Sequence, residues 1–177
     1  IFFSGEFMGI TLDKDFNGQL KGSRISKSVH WKHILIMGLP GTGKTTLAKE
    51  LAYHFHVPHY NADTMRGYYG DWDFSYEGRI TQASRMSRMP YGILDFVCPT
   101  NALRELVSAD FVIWMNTKES SKFEDTNKLW QDPVTYDIEV LQWIEQNQLR
   151  NSLAGFSHGM MGIQSYLSEH FPKLVKS

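Results

Sequence analysis

The chain has 177 residues, 42% of them hydrophobic and 21% charged, with a formal net charge of -1, which suits one globular domain and leaves too little chain for two ordinary ones. That near-neutral balance gives no reason to expect a long nucleic acid or an acidic membrane surface as partner, so any binding charge must be local. Cys98 is the single cysteine, which excludes an internal disulfide framework and points to a reducing, cytoplasmic setting, and no apolar run reaches membrane-spanning length.

The chain begins at Ile1 rather than methionine, which leaves open a short cloning remnant or a piece of something longer. Residues 1–30 carry an Asn17-Gly18 turn signal suited to a hairpin and no chemistry. From Trp31 the text changes. HILIM reads as a buried strand, GLPGTGKTT as a glycine-rich turn, and TTLAKELAYHFH as a helix with Leu47, Leu51 and Phe55 at helical spacing. VPHYN reads as a second strand, and residues 61–79, NADTMRGYYGDWDFSYEGR, as a loop crowded with acids, arginines and aromatics. Glu77 to Met89 reads as a helix, YGILDFV as a third strand, TNALRELV as a helix and DFVIWM as a fourth strand. Residues 116–131 are polar and predict a mobile loop, VTYDIEV is a candidate fifth strand, and the rest predicts helix around a break at AGFSHG. Strands alternating with helices predict an α/β domain with a parallel sheet covered on both faces. The expected organisation is an unassigned segment 1–30, an α/β domain 31–150 and a helical segment 151–177.

GLPGTGKTT fits the phosphate-loop pattern G-x-x-x-x-G-K-[ST] at Gly38, Gly43, Lys44 and Thr45, and sits between an apolar strand and an amphipathic helix. Glycines let backbone N–H groups converge on an anion, and the helix N-terminus adds its dipole. The loop Gly38, Leu39, Pro40, Gly41, Thr42, Gly43, Lys44, Thr45 and Thr46 therefore predicts ATP binding in a three-layer P-loop NTPase fold. Lys44 is expected at the β- and γ-phosphates and Thr45 at Mg²⁺. In an open parallel sheet, ligands bind beyond the carboxyl ends of the strands, which puts Asp63 and Arg66 on the rim that carries this loop. Asp63 suits a hydroxyl proton or a metal, Arg66 and Arg79 an anionic acceptor, and Phe74 the flat face of a base. The plainer account of this stretch is local aromatic packing and a solvated charged loop.

NADTMR, FSYEGR and FVCP, in that order after the phosphate loop, resemble the D-G-D-x-x-R, F-S-x-x-x-R and F-[IV]-S-P signatures of the adenylylsulfate kinase family, over about residues 31–140. The resemblance implies transfer of phosphate from Mg·ATP to the ribose 3′-hydroxyl of adenylylsulfate. It implies Asp63 as catalytic acid-base and metal-associated carboxylate, Arg66 and Arg79 as acceptor-binding arginines, and Phe74 stacked on the adenine. Gln82 stands where the family tends to have an acceptor-contacting asparagine, and Val97, Cys98 and Pro99 stand at its strand-end motif. Asn61 replaces the first aspartate of the signature. Asp95, an acid in a buried strand, needs a reason: it stands in for the missing carboxylate at the metal, or it pairs with Lys44 or an arginine. Other acceptors, a nucleoside or a polynucleotide 5′-hydroxyl, stay open, as do a nucleotide-binding module without turnover and a homodimer.

GFSHG at residues 155–159 fits G-x-S-x-G, and with the helix after it resembles the nucleophile elbow of the α/β-hydrolase family. NSLA is a poor strand to precede an elbow, so a glycine-broken helical pair covering the sheet is the favoured reading over a hydrolase remnant. His54, His56 and His59 straddle a helix end and a turn, where interaction with the helix dipole is a plainer account than metal binding. Trp114 and Trp143 read as packing.

Overall fold

The structure is a computed structural model and describes residues 31–169; the hairpin expected in residues 1–30 and the end of the tail lie outside them. Strands β1 (His33–Met37), β2 (His59–Asn61), β3 (Gly92–Asp95), β4 (Phe111–Met115) and β5 (Ile138–Val140) form one sheet in the order β2-β3-β1-β4-β5. Every pairing is parallel. The helices are α1 (Lys44–Phe55), α2 (Ala62–Tyr69), α3 (Tyr76–Ser87), α4 (Asn101–Val107), α5 (Glu124–Leu129), α6 (Gln146–Ser152) and α7 (Gly159–Glu169).

The unbroken apolar run of β1 is what a central parallel strand requires, since both its faces are covered. Side chains alternate across it. Ile34 and Ile36 pack with Leu47, Leu51 and Phe55 of α1, while Leu35 and Met37 pack with Ala83 and Met86 of α3 and Leu103 of α4. The result is the three-layer α/β architecture of P-loop kinases. Ile163, Tyr166 and Leu167 of α7 enter the same cluster as α1, and the Tyr166 hydroxyl lies 2.6 Å from Ser152 Oγ of α6. The tail thus covers the α1 face of the sheet. The element directly before GFSHG is a helix, α6, and not a strand, and it is followed by turns through Gly155 and Gly159 at φ 91° and 90°. This local shape lacks the strand–turn–helix of a nucleophile elbow.

Several expectations need correction. Residues 61–79 are not simply a loop, because Asn61 caps α2 by accepting the Thr64 N–H at 3.0 Å, and Gly70 ends the helix in the left-handed region at φ 63°. Residues 116–131 contain α5, whose first turn carries Glu124 and Asp125, as the helix dipole favours. The third strand stops at Asp95, and Cys98 adopts φ 47° in the turn beyond it. Only the last three residues of VTYDIEV are strand. No described helix is long and apolar enough to cross a membrane.

Candidate active site

Parallel strands deliver their carboxyl ends to one rim, and there β1 runs into the phosphate loop, β2 into α2 and β3 into the segment 96–100. Gly38 has to be glycine, since a Cβ there would press into the Met115 carbonyl oxygen. Gly43 caps α1 at φ 99°. The loop is laced to itself and to its neighbour: Thr42 Oγ1 donates to the Leu39 carbonyl at 2.8 Å, and Thr117 Oγ1 donates to the Thr42 carbonyl at 2.9 Å. Lys44 Nζ donates to the Leu39 carbonyl at 2.9 Å. Burial lowers the Lys44 pKa to about 8, against the opposing pull of Asp95 and Asp63. The expected pairing of Lys44 with Asp95 is therefore electrostatic, with the ammonium's hydrogen bond going to backbone.

A cleft of about 670 Å³ opens beside the loop. Its walls bring together Pro40, Gly41, Lys44, Thr45, Asp63, Arg66, Phe74, Arg79, Gln82, Asp95, Val97, Cys98 and Pro99, all named from the sequence. Gly38, Leu39, Thr42, Gly43 and Thr46 belong to the loop but not to this wall. Leu39 instead borders a smaller cavity under Trp114 and Trp130, and Thr46 a groove between α1 and α6.

Asp95 is fully buried. Its Oδ2 accepts from Thr45 Oγ1 at 2.9 Å, His59 Nε2 at 2.9 Å and Asn61 Nδ2 at 3.0 Å. Burial works to raise its pKa, but these bonds outweigh it and hold the carboxyl below the usual carboxylate range. Oδ1 is buried with no partner among the described residues. Asp95 lines the cleft with one oxygen unpartnered among the described residues and the Thr45 hydroxyl on the other, a donor set that fits a divalent cation or its water.

On the other wall, Arg66 is 3% exposed. Its Nη1 donates to the carbonyls of Asp71 at 3.2 Å and Asp73 at 2.9 Å, and its guanidinium lies 4.2 Å from the centre of the Phe74 ring. The resemblance gave Arg66 to the acceptor alone; part of it holds the loop that presents Phe74. Arg79 lies 5.6 Å from the same ring, donates through Nε to the Phe74 carbonyl at 3.1 Å, and reaches Thr126 Oγ1 through Nη2 at 3.3 Å. Gln82 donates to the Ala62 carbonyl at 2.8 Å, which fixes its flip and leaves Oε1 without a partner among the described residues. Cys98 is buried, with its thiol pushed up to about 12 by burial, so it shapes the wall as a neutral group and is no nucleophile.

Sequence reasoning missed His59, and the part played by Phe96, Leu103, Phe123 and Thr126 in the cleft wall. The signal for His59 was its spacing from Asn61: residues two apart on a strand share a face, and β2 pairs with β3 so that Asn61 sits opposite Asp95. His54 and His56 go elsewhere, His56 lying against His158 at 3.9 Å between ring centres.

A profile of the AAA family, the ATPases associated with various cellular activities, matches residues 34–94. Among solved structures, the chain is similar to the APS kinase of Mycobacterium tuberculosis, solved with AMPPNP and APS, with 15% identity and TM-score 0.56 over 70% of this chain and 95% of that one. It is also similar to a sugar kinase from Janibacter sp. HTCC2649, with 14% identity and TM-score 0.55 over 84% and 100% of the two chains. Shikimate kinase from Aquifex aeolicus vf5 aligns with 12% identity and TM-score 0.51 over 68% and 92%. At these identities the likeness is one of fold. One curated protein, tRNA dimethylallyltransferase 2 of Arabidopsis thaliana, is 44% identical over 54 residues, 30% of this chain, and the chain spans 11% of that protein's length.

Proposed function

We propose that this protein is an ATP-dependent phosphotransferase that moves the γ-phosphoryl group to a hydroxyl of a small nucleotide-like acceptor, with adenylylsulfate the leading candidate. The observation that carries this reading is the single cleft joining Lys44 and Thr45 of the phosphate loop to Asp63, Arg66, Phe74, Arg79 and Gln82. Phosphoryl transfer asks mainly for positioning and charge stabilisation. Backbone N–H groups of the loop hold the β-phosphate and Lys44 neutralises charge developing on the transferred group. Asp63, at the start of α2 on the cleft wall, accepts the proton of the attacking hydroxyl. The O–H bond breaks as the new P–O bond forms, and ADP leaves. Phe74, flanked by two guanidiniums, offers a face to a base, and Gln82 Oε1 accepts an N–H or O–H of the acceptor. Thr45 and Asp95 are the residues that would hold magnesium, with Asp63 within the same cleft. When bound, the ion supplies Lewis-acid neutralisation of the phosphate oxygens. Residues 122–126 form the outer wall and help keep water from the transferring group.

The test is ADP release from Mg·ATP with adenylylsulfate, beside shikimate, sugars, nucleosides and 5′-hydroxyl oligonucleotides. Selective turnover with adenylylsulfate supports the finer reading; turnover with another alcohol alone moves the acceptor and keeps the reaction. The match to tRNA dimethylallyltransferase favours a second reading, in which the same cradle holds the diphosphate leaving group of an alkyl donor and a base nitrogen is alkylated. Pyrophosphate release from dimethylallyl diphosphate in the presence of tRNA, with no ADP from ATP, would replace the first reading with this one.

A further inference from the structure

We propose that His59 is a positioning residue for the metal-side carboxylate, and that with Asn61 it makes this a site with one fixed acid in place of a pair. The inference rests on the phosphotransfer reading and specifies how its cation is held. Three donors converge on Asp95 Oδ2, from α1 through Thr45 and from β2 through His59 and Asn61. A carboxylate held at one oxygen by three bonds of 2.9–3.0 Å has lost its freedom to rotate, so Oδ1, unpartnered among the described residues, is held in one position.

His59 suits this task through Nε2. Its Nε2, the nitrogen within 2.9 Å of Oδ2, must carry the proton, because Oδ2 of an ionised carboxylate only accepts. A nitrogen that donates to the acid has no lone pair for a metal. Its side chain is 15% exposed against 1% for Asp95, so the imidazole also caps the edge of the network against water. Asn61 completes the arrangement in two directions: its Oδ1 accepts from Thr64 N at the start of α2, and its Nδ2 donates to Asp95. A carboxylate at position 61 could accept from Thr64 but would face Oδ2 of Asp95 with like charge. The donors at 59 and 61 thus both serve Asp95, while the Asn61 oxygen keeps α2 capped and Asp63 in its first turn.

Outer partners that orient a ligating carboxylate typically change metal affinity by about 10- to 100-fold when removed. The experiment measures Mn²⁺ binding by electron paramagnetic resonance on protein saturated with ADP, and ADP binding in EDTA by calorimetry, for wild type, His59→Phe and His59→Gln. His59→Phe keeps a flat ring and removes the donor. Expected is Mn²⁺ binding weaker by about 10- to 100-fold in His59→Phe, with ADP affinity in EDTA unchanged and most of the metal affinity restored in His59→Gln, which keeps an N–H. Unchanged Mn²⁺ affinity in His59→Phe overturns the proposal. So does an equal loss of metal-free ADP binding, which would make His59 a general prop of the strand. Wild-type protein that binds no ADP would instead remove the phosphotransfer reading itself, and this inference with it.

Discussion

On the phosphate-loop wall of the cleft, Lys44 and Thr45 open α1 beyond β1 and Asp95 ends the adjacent β3; Lys44 bonds back to the Leu39 carbonyl of the loop, and Thr45 bonds to Asp95. On the facing wall, Arg66, Phe74, Arg79 and Thr126 come from short helices and the loop between α2 and α3, and their fixed bonds go mainly to nearby backbone carbonyls. The first wall is set by the sheet; the second is set by its own local turns, and Arg79 links it to Thr126 of α5. Under the proposed phosphotransfer, this difference would give rate to one wall and recognition to the other, because preorganised charge acts on the transition state while adaptable aromatic and guanidinium contacts discriminate acceptors.

The largest expected effect lies on the sheet-set wall. Lys44→Ala removes the cation nearest the transferring group and should lower kcat by about 10²- to 10³-fold, the scale for losing one preorganised stabilising group. Steady-state kinetics with saturating acceptor read this directly. A drop confined to the KM for the acceptor would reverse the division between the walls.

On the facing wall, Arg66→Ala should weaken acceptor use by about 1.5–3 kcal/mol, the range for hydrogen bonds to charged groups, with ATP affinity nearly unchanged. Because Arg66 also holds the carbonyls of Asp71 and Asp73, the same variant should lower the unfolding midpoint. Equal losses of ATP and acceptor affinity would show that the loop between α2 and α3 supports both walls.

These two predictions differ in how readily they could be read from the sequence, for a physical reason. The phosphate loop is contiguous, so glycine spacing, Lys44 and the flanking strand and helix declare it together. The residues of the facing wall were brought together by motif order, but their bonds were not, since Arg66 reaching the Asp73 carbonyl depends on how the chain turns after Gly70. The helix α2 was hidden by one glycine and two tyrosines in eight residues and by their neighbour Gly70, although the Asn61 cap was in plain view. Asp95 was visible as an anomaly, an acid inside an apolar strand. Its explanation needed the strand order, because its donors lie 50, 36 and 34 residues away.

A pH series sharpens the comparison from the loop side. Burial lowers the Lys44 pKa to about 8, and bound phosphate requires the protonated amine. Inorganic triphosphate affinity should thus hold below that pKa and fall by about tenfold per pH unit above it. For stability the sign is opposite. Between about 8 and the ordinary value of 10.5 the unfolded chain keeps a proton that the folded one has released, so raising pH through this window relieves the cost of burying the charge. Titration of triphosphate binding in Lys44→Met, which has no proton to lose, should lack the decline above pH 8.

The smallest effect tests whether the facing wall is adjustable. Arg79 Nη2 meets Thr126 Oγ1 at 3.3 Å, a long bond between a guanidinium and a neutral hydroxyl, and it is the link through which α5 senses the Phe74 loop. Thr126→Val keeps the shape and removes the acceptor, which should cost about 0.5–1.5 kcal/mol. If α5 moves with acceptor binding, that cost appears in the KM for the acceptor and spares kcat, since Lys44 and Asp95 hang from other elements. If the loss appears in kcat at saturating acceptor, α5 is part of the transition-state environment, and the two walls act as one.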